Sequence, residues 1–259
     1  MTVLDTFSLK DTVVLVTGGA GLYGRQIVAA CAEAGACTFI ASRNVDALEA
    51  VASEHRTNGF DVTALELDQA DEASVLKLRD EIKRRSGRLN VLVNNSVTRP
   101  MKDYRDTAAS FEESMKVNAT GLFLITRTMG DFIAENNAGS IINIGSIMGM
   151  IGPDPTNYTG TDMHAWIPDY FFHKGGMINF TRFVASYYGD KGVRCNCIGL
   201  GGLLQHQPEV FVKNYSSRTF LGRMANDTDL KGVIVFLASD ASVYITGANI
   251  PVDGGYTAK

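Results

Sequence analysis

The feature that most constrains the fold is a regular alternation of short apolar runs with longer stretches of helical character. The runs expected to be strands are TVVLVTG, CTFIAS, VTALELD, NVLVNN, SIINIGS, VRCNCIG and ANIPVDGG. Helical stretches separate them, including one from Val45, one from Asp71, a long one over 110–136 and one that carries Tyr170. This alternation is typical of parallel strands joined by crossover helices, and the proline of the last run favours a sheet edge. The predicted fold class is therefore α/β: a single Rossmann-type domain over residues 1–259, with a doubly wound, mostly parallel sheet and helices on both faces.

Composition and charge exclude several classes of function. A net charge of −4 without a basic cluster argues against a nucleic-acid partner. No apolar run approaches the length of a membrane helix and the N-terminus lacks the basic flank of a secretion signal, so we expect a cytoplasmic protein with no membrane partner. Cys195 and Cys197 lie two apart in a predicted strand with no further ligands nearby, so buried, reduced thiols are expected and no metal site.

A glycine-rich turn, TGGAGLYG at residues 17–24, follows the first predicted strand. Glycines at such a strand-to-helix turn let the backbone approach a pyrophosphate, which then lies at the positive end of the helix. The turn therefore predicts a nucleotide cofactor and a small-molecule substrate. Its predicted cofactor-binding residues are Gly18, Gly21, Leu22, Tyr23 and Gly24.

The end of the second strand bears on the choice of nucleotide. An acidic residue there would bind the adenosine ribose hydroxyls and favour NAD, but the chain has Ser42, Arg43 and Asn44. Arg43 is suited to pair with a 2′-phosphate, which favours NADP, although NAD and an ordinary surface arginine remain alternatives. Asp68, after the third strand, is either an acceptor for the adenine amino group or a plain turn residue.

The stretch DYFFHKGG at residues 169–176 suits proton transfer. Tyr170 and Lys174 are four apart and would share one face of a helix. A neighbouring ammonium favours the phenolate and so lowers the pKa of a tyrosine from about 10. A phenol tuned in this way can give or take the proton that a carbonyl/alcohol interconversion requires. Alone, such a pair is more often an ordinary helix face.

Together these residues resemble the short-chain dehydrogenase/reductase family, in its single-domain branch of about this length. TGGAGLYG is similar to the family's TGxxxGxG turn, and YFFHK to its Tyr-x-x-x-Lys pair. Further matches in chain order are LD at 67–68, NNSV at 94–97, Asn118 in KVNATG, Ser146 in INIGS and the C-terminal stretch GRMANDTDLKGVIVFLASDASVYITGANIPVDGGY. The resemblance extends from about Leu9 to Tyr256, and so many ordered matches make it specific.

The resemblance implies a role for each matched residue. Tyr170 would be the general acid or base on the substrate oxygen, and Ser146 would polarise the same oxygen. Lys174 would hold the nicotinamide ribose and lower the pKa of Tyr170, while Asn118 would anchor a water that relays protons to the lysine. The cofactor contacts implied outside the glycine turn and the second strand are Asp68, Asn95, Ser96, Tyr170, Lys174, Gly201 and Leu203.

Assembly is also implied by the resemblance, because family members usually form tetramers that pair the helix over 110–136 and the Tyr170 helix with their copies. The first of these helices carries more apolar side chains than one face against a sheet needs. They are Phe111, Met115, Leu122, Phe123, Met129 and Phe132. A homotetramer is therefore expected.

The chain departs from the family pattern at several positions. Leu22 replaces the middle glycine of the turn, Ser96-Val97 replaces Ala-Gly, and Leu200 stands where proline is usual. The segment from Ser146 to the tyrosine is also longer than usual. Tyr158 has the common spacing, but its partner four residues on is Asp162, which cannot replace the lysine. Tyr170 is therefore assigned, and residues 151–167 are predicted to be a substrate-side insertion.

The function expected is hydride transfer between NADP(H), or NAD(H), and an alcohol or ketone. The insertion mixes hydrogen-bonding and flat aromatic side chains, which suits a sugar, sugar acid or other polyol. These side chains are Asn157, Tyr158, Thr159, Asp162, His164 and Trp166. Packing of the insertion on a neighbouring subunit is the alternative role. A 3-oxoacyl-carrier-protein reductase and a non-catalytic nucleotide-binding regulator remain as alternative functions.

Overall fold

The computed structural model describes residues 2–259, which form one seven-stranded parallel sheet with helices on both faces. The strands are β1 (Val13–Thr17), β2 (Cys37–Ser42), β3 (Val62–Glu66), β4 (Val91–Asn94), β5 (Gly139–Ile144), β6 (Val193–Leu200) and β7 (Asn249–Val252). Their spatial order is β3-β2-β1-β4-β5-β6-β7. The predicted doubly wound α/β domain is confirmed, and Pro251 lies in the edge strand β7, as its missing N–H favours.

The crossover helices bury apolar stripes against the two faces of this sheet. They are α1 (Leu22–Glu33), α2 (Val45–Thr57), α3 (Glu72–Ser86), α4 (Ala108–Met115), α5 (Leu122–Ala134), α6 (Pro168–Tyr188), α7 (Glu209–Ser216) and α8 (Lys231–Ala238). Because side chains alternate along a strand, Val14 faces the core under α1, α2 and α8, whereas Leu15 faces the core under α3, α5 and α6. Burial on both faces explains why the strands are almost wholly apolar. Within residues 2–259, no helix combines the length and apolarity that crossing a membrane requires.

The long helix predicted over 110–136 is interrupted. Residues Lys116–Gly121 form a π-helical segment between α4 and α5. At its end Gly121 lies against the backbone of Gln69, where an added Cβ would come within 2.8 Å of the Gln69 carbonyl oxygen. The π-helical segment contains Asn118, and π-helical turns within α-helices often mark functional sites.

The sheet order places a crevice between the ends of β1 and β4. From β1 the chain runs outward to β2 and β3, and then returns to β4 on the other side. Ligands of open α/β sheets bind at the carboxyl ends of strands at such a reversal. Asn95, just after β4, donates from its amide to the carbonyl oxygens of Thr17 (3.0 Å) and Gly18 (2.9 Å), and so joins the two sides of the crevice.

Candidate active site

A cavity of about 660 Å³ runs along the carboxyl ends of the strands. It is lined by every predicted site residue except Asn118. These residues are Gly18, Gly21, Leu22, Tyr23, Gly24, Ser42, Arg43, Asp68, Asn95, Ser96, Ser146, Tyr170, Lys174, Gly201 and Leu203. Segments far apart in the sequence therefore meet around one space large enough for a cofactor and a small substrate.

The Tyr170/Lys174 pair lies in the first two turns of α6, which begins at Pro168, a residue well suited to the first helical position. Both side chains are buried, with the Lys174 ammonium 5.7 Å from the centre of the Tyr170 ring. Burial acts to raise the pKa of Tyr170, but the charges of Lys174 and Arg99 and hydrogen bonding with Ser146 outweigh it, so the pKa is lowered overall. Burial also lowers the pKa of Lys174, which donates a hydrogen bond to the Ile144 carbonyl.

Ser146 follows β5 and is held close to α6 by tight backbone packing. Its hydroxyl accepts a hydrogen bond from the Met148 N–H (3.1 Å) and so caps the short turn Ile147–Gly149. At Gly149 a Cβ would lie 2.5 Å from the Lys174 carbonyl oxygen. The glycine therefore lets the serine turn rest directly on the helix that carries the tyrosine.

Asn118 lies behind the cavity and is fixed by three contacts. Its amide donates to the Thr98 carbonyl (2.8 Å) and to the Ser114 hydroxyl (3.0 Å), and its oxygen accepts from the Thr98 N–H (3.0 Å). Ser114 in turn donates to the buried carboxylate of Asp169 (2.6 Å), the neighbour of Tyr170. Ser114 and Asp169 thus tie the π-helical segment to α6. Sequence reasoning missed both, because only the fold brings them together.

His173 is a second buried group that sequence reasoning missed. Its ring meets the Tyr170 ring edge-on at 5.2 Å, and neither ring nitrogen has a hydrogen-bond partner within residues 2–259. Burial, with the nearby charges of Lys174 and Arg99, lowers its pKa to about 3. The imidazole is therefore neutral at pH 7 and adds no positive charge beside the tyrosine.

This burial predicts a pH-dependent stability. Below pH 6.5 the unfolded chain protonates His173, whereas the folded chain does so only near pH 3, so stability is lost as the pH falls through this window. At pH 5 the loss is about 2 kcal/mol. Chemical denaturation of wild type between pH 5 and 8 should show it, and His173→Phe and His173→Gln should both reduce the slope. His206→Gln, at an exposed histidine, is the control. An unchanged slope in both His173 variants would contradict the assignment.

The glycine turn fits the pyrophosphate of a dinucleotide. Gly18 has a φ of 68°, which favours glycine, and the Cβ of any side chain there would lie 3.1 Å from Asn95 and Ser96. Helix α1 begins just after Gly21, and no side chain within residues 2–259 caps it, so its first N–H groups are available to an anion. Leu22 remains 62% exposed at the rim of the cavity and leaves the turn open.

Two tyrosines hold the loop that follows Leu200. The Tyr23 hydroxyl donates to the Gly201 carbonyl (2.8 Å), and the Gly202 N–H donates to the Tyr215 hydroxyl (2.6 Å). Leu200 stands where the family usually has a proline, which would restrict the backbone of this loop. These bonds fix it instead from the glycine turn on one side and from α7 on the other.

The opposite end of the cavity carries Ser42, Arg43 and Asp68. Arg43 is exposed and lies next to Ser42, as expected for a residue that meets a phosphate at the surface. The Asp68 carboxylate accepts from the Ala70 N–H (3.0 Å), so it also stabilises a turn. Asp68 therefore stabilises a turn at the cavity wall, and its contact with the adenine amino group stays a prediction.

The segment 151–167 packs on α7 of the same chain. Asp154 accepts from Arg218 (2.6 Å), and Asn214 donates to the Thr159 carbonyl (2.9 Å). Its side chains at the cavity are those of Asn157, Tyr158, Met163, His164 and Ile167. The expectation for Trp166 was wrong: the tryptophan is 47% exposed and lies outside the cavity wall, as do Thr159 and Asp162.

The thiols take no part in this site. Cys31, Cys195 and Cys197 are buried, Cys37 is half-buried, and none of the four is in a disulfide. Burial raises the pKa of Cys197 to about 11, so it remains a thiol at neutral pH. Across residues 2–259, no group of three or more His, Cys, Asp or Glu side chains is placed to hold a metal ion.

Comparison of the sequence and the structure with known proteins identifies the family of this chain. The family model described as enoyl-(acyl carrier protein) reductase matches residues 21–257. A solved short-chain type dehydrogenase/reductase from Mycobacterium marinum is 27% identical and aligns over 100% of both chains, with a TM-score of 0.90. The chain belongs to the short-chain dehydrogenase/reductase family. It is therefore an NAD(P)-dependent oxidoreductase, which sets aside the non-catalytic regulator that the sequence left open.

Relatives of this dehydrogenase/reductase carry different activities. The 3-oxoacyl-(acyl-carrier-protein) reductase of Aquifex aeolicus is 30% identical over 254 residues, covering 95% of this chain and 98% of its own. The 2-(S)-hydroxypropyl-CoM dehydrogenase 3 of Xanthobacter autotrophicus is 29% identical, with coverages of 96% and 98%. The solved gluconate 5-dehydrogenase of Burkholderia cenocepacia, in complex with NADP and tartrate, is 26% identical over 100% of both chains, with a TM-score of 0.90.

Proposed function

We propose that this dehydrogenase/reductase uses NADP(H) to interconvert a secondary alcohol and a ketone on a short, polyhydroxylated substrate: a sugar, a sugar acid or another polyol. The observation that carries the proposal is the wall that segment 151–167 builds beside Tyr170. This wall presents the side chains of Asn157, Tyr158 and His164 to the cavity. The Asn157 amide donates to the Tyr256 hydroxyl (2.6 Å) within the protein, whereas the Tyr158 hydroxyl and the His164 imidazole suit a ligand rich in hydroxyls better than an acyl chain or a steroid.

The proposed chemistry assigns one task to each residue. The cofactor, when bound, accepts or supplies the hydride. During alcohol oxidation Tyr170 takes the hydroxyl proton, and during reduction it returns that proton to the carbonyl oxygen. Ser146 donates a hydrogen bond to the same oxygen, and the Lys174 ammonium stabilises the phenolate. Asn118 is held by Thr98 and Ser114, and its predicted role, anchoring a water that relays protons to the lysine, stays a prediction.

A substrate panel tests the proposal. Purified enzyme is assayed by NADPH absorbance with aldonic acids, polyols, steroid ketones and acetoacetyl thioesters. We expect the best kcat/KM on an aldonic acid or polyol. Tyr158→Ala and His164→Ala should lower that value about tenfold or more, because each removes a cavity group. Asp162→Ala is the control, since Asp162 lies outside the cavity. Activity on steroid or acyl ketones with none on polyols or aldonic acids would overturn the proposal.

A 3-oxoacyl-carrier-protein reductase is the second candidate. It is favoured by the Aquifex relative, which carries that activity and aligns along nearly the whole chain. The apolar part of the cavity wall, which includes Ile147, Met148 and Phe211, suits an acyl chain. The acetoacetyl thioester of the same panel decides between the two candidates.

Arg43 underlies the proposed preference for NADP(H). Arg43→Gln should weaken the binding of NADP(H) about tenfold and leave the binding of NAD(H) almost unchanged. The reason is that only NADP(H) has the 2′-phosphate that the guanidinium would bind. Dissociation constants from nucleotide fluorescence are the measurement. Arg25→Gln is the control, since this exposed arginine pairs with Glu54 and lies outside the cavity. A wild-type enzyme that binds NAD(H) more tightly would contradict the preference.

A homotetramer remains the proposed assembly, through the two predicted helices but with mostly different apolar side chains. Leu122, Met129 and Phe132 are buried in their own chain. The exposed aromatic side chains on α5 and α6 are those of Phe123, Phe172, Phe183 and Tyr187. Light scattering at micromolar concentration should give four times the 28.0 kDa chain mass, and Phe183→Glu should give a smaller species. A wild-type monomer would contradict this assembly.

The cytoplasmic location stays a prediction.

A further inference from the structure

Arg99 is an arginine of the active site that the predicted catalytic set leaves out. It lies five residues after the end of β4, on the segment that Asn118 holds through Thr98. Its guanidinium carbon lies 4.5 Å from the centre of the Tyr170 ring, and its side chain lines the cavity. Stacking on an aromatic face holds the planar guanidinium in a defined orientation, in which it also interacts with the Tyr170 hydroxyl and keeps further N–H donors for a ligand.

The charge of Arg99 has no acidic partner. Within residues 2–259 it forms no salt bridge, although other arginines of the chain are paired with carboxylates. The acidic side chain in the cavity wall is Asp68, which lies with Ser42 and Arg43 at the opposite end. The side chains that line the cavity around Tyr170 therefore include two cations, Arg99 and Lys174, and no carboxylate, since the buried Asp169 lies outside the lining and is engaged by Ser114.

The two cations differ in what they can reach. Lys174 is buried and donates to the Ile144 carbonyl, so its ammonium already has a hydrogen-bond partner within the protein. Arg99 is exposed at the cavity wall, and a guanidinium offers five donors in a fork that matches a carboxylate in two parallel hydrogen bonds. A group placed on Arg99 would therefore lie close to Tyr170, whose ring centre is 4.5 Å from the guanidinium carbon.

We propose that Arg99 is a carboxylate-binding residue that selects hydroxy acids over neutral polyols. This rests on the proposed function and narrows it: the substrate is a short acid whose reacting carbon lies near its carboxylate. The carboxylate supplies the negative charge that this end of the cavity lacks. Its two oxygens take up guanidinium donors that the protein leaves unpaired.

Arg99 also acts on Tyr170 itself, since its charge helps to lower the pKa of that tyrosine. A substitution at Arg99 would change the rate with every substrate for this reason alone. The ratio of kcat/KM values for two substrates cancels that shared effect. The test therefore compares a matched pair, D-gluconate and D-glucitol, which have the same carbon chain and differ in whether C1 is a carboxylate or a hydroxymethyl group.

Wild type should prefer gluconate to glucitol, and Arg99→Gln should reduce that ratio about 10- to 100-fold, mainly through the KM of the acid. Arg99→Lys should fall between the two, because an ammonium keeps the charge and loses the fork. Arg105→Gln, at an exposed arginine of the same segment outside the cavity, should leave the ratio unchanged. Equal loss of activity on both substrates in Arg99→Gln would overturn the proposal and make Arg99 a positioning residue for Tyr170.

A binding measurement separates this proposal from the proposed function. Titration calorimetry of tartrate into NADP-loaded enzyme detects the carboxylate contact without turnover. Wild type should bind tartrate at least about tenfold more tightly than Arg99→Gln. Should no sugar acid or polyol be turned over, the proposed function fails, and weaker tartrate binding by Arg99→Gln would still support the carboxylate site. Equal tartrate affinity in wild type and Arg99→Gln overturns the site, whatever the substrate panel shows.

Discussion

Tyr170→Phe should lower kcat by about 10²- to 10⁴-fold, or below detection, while the protein still binds NADP(H). In the proposed mechanism the phenol proton is the one that alcohol and ketone exchange, and the lowered pKa of Tyr170 suits that transfer. Lys174, Arg99 and Ser146 together lower the pKa of the phenol although burial acts to raise it. Phenylalanine removes the hydroxyl and keeps the ring, so its contact with His173 is preserved.

The measurement is kcat on the best substrate of the panel, together with the dissociation constant for NADPH from its fluorescence. Tyr158→Phe is the matched control, because Tyr158 lines the same cavity and loses the same atom. Burial raises the pKa of Tyr158, which has Asp162 rather than a lysine four residues on, so its hydroxyl is not prepared for proton transfer. We expect the control to lose far less kcat than Tyr170→Phe, because it removes a substrate contact and leaves the proton transfer in place. A Tyr170→Phe enzyme with more than a tenth of the wild-type kcat would contradict the assignment.

Gly24→Ala should impair cofactor binding and stability together. An added Cβ would lie 2.2 Å from the Gly18 carbonyl oxygen and 3.0 Å from the Gly19 carbonyl, both of which are backbone atoms of the cofactor turn. These atoms have no flexible end to move, so the turn must shift away from α1. We expect a loss of about 1–3 kcal/mol in stability and at least a tenfold loss of NADP(H) affinity.

Denaturant unfolding and nucleotide fluorescence measure the two effects. Gly232→Ala is the control, because Gly232 lies in the helix α8 and no atom is within 4 Å of its added Cβ. There the same substitution should stabilise the protein by up to about 1 kcal/mol, since alanine favours helix more than glycine does. If Gly24→Ala bound NADP(H) as tightly as wild type, the close approach of α1 to the turn would not matter for the cofactor.

Features that depend on a few neighbouring residues could be predicted from the sequence itself. The alternation of apolar runs and helical stretches predicted the parallel sheet, because strands buried on both faces must be apolar throughout. The spacing of Tyr170 and Lys174 predicted a shared helix face, since a helix repeats every 3.6 residues. Glycines 18, 21 and 24 predicted the turn, because a positive φ or a close backbone approach excludes side chains.

The tertiary structure decided the features that join distant segments. Asp169 meets Ser114 across 55 positions, and Asp154 meets Arg218 across 64. The neutral state of His173 and the position of Arg99 over Tyr170 follow from burial and from the path of the loop after β4. No periodicity or local spacing encodes such contacts, because they depend on which elements the sheet order brings together. The sequence alone therefore determined the fold and the shared helix face of Tyr170 and Lys174, whereas the charge and shape of the substrate end of the cavity were set only when the chain folded.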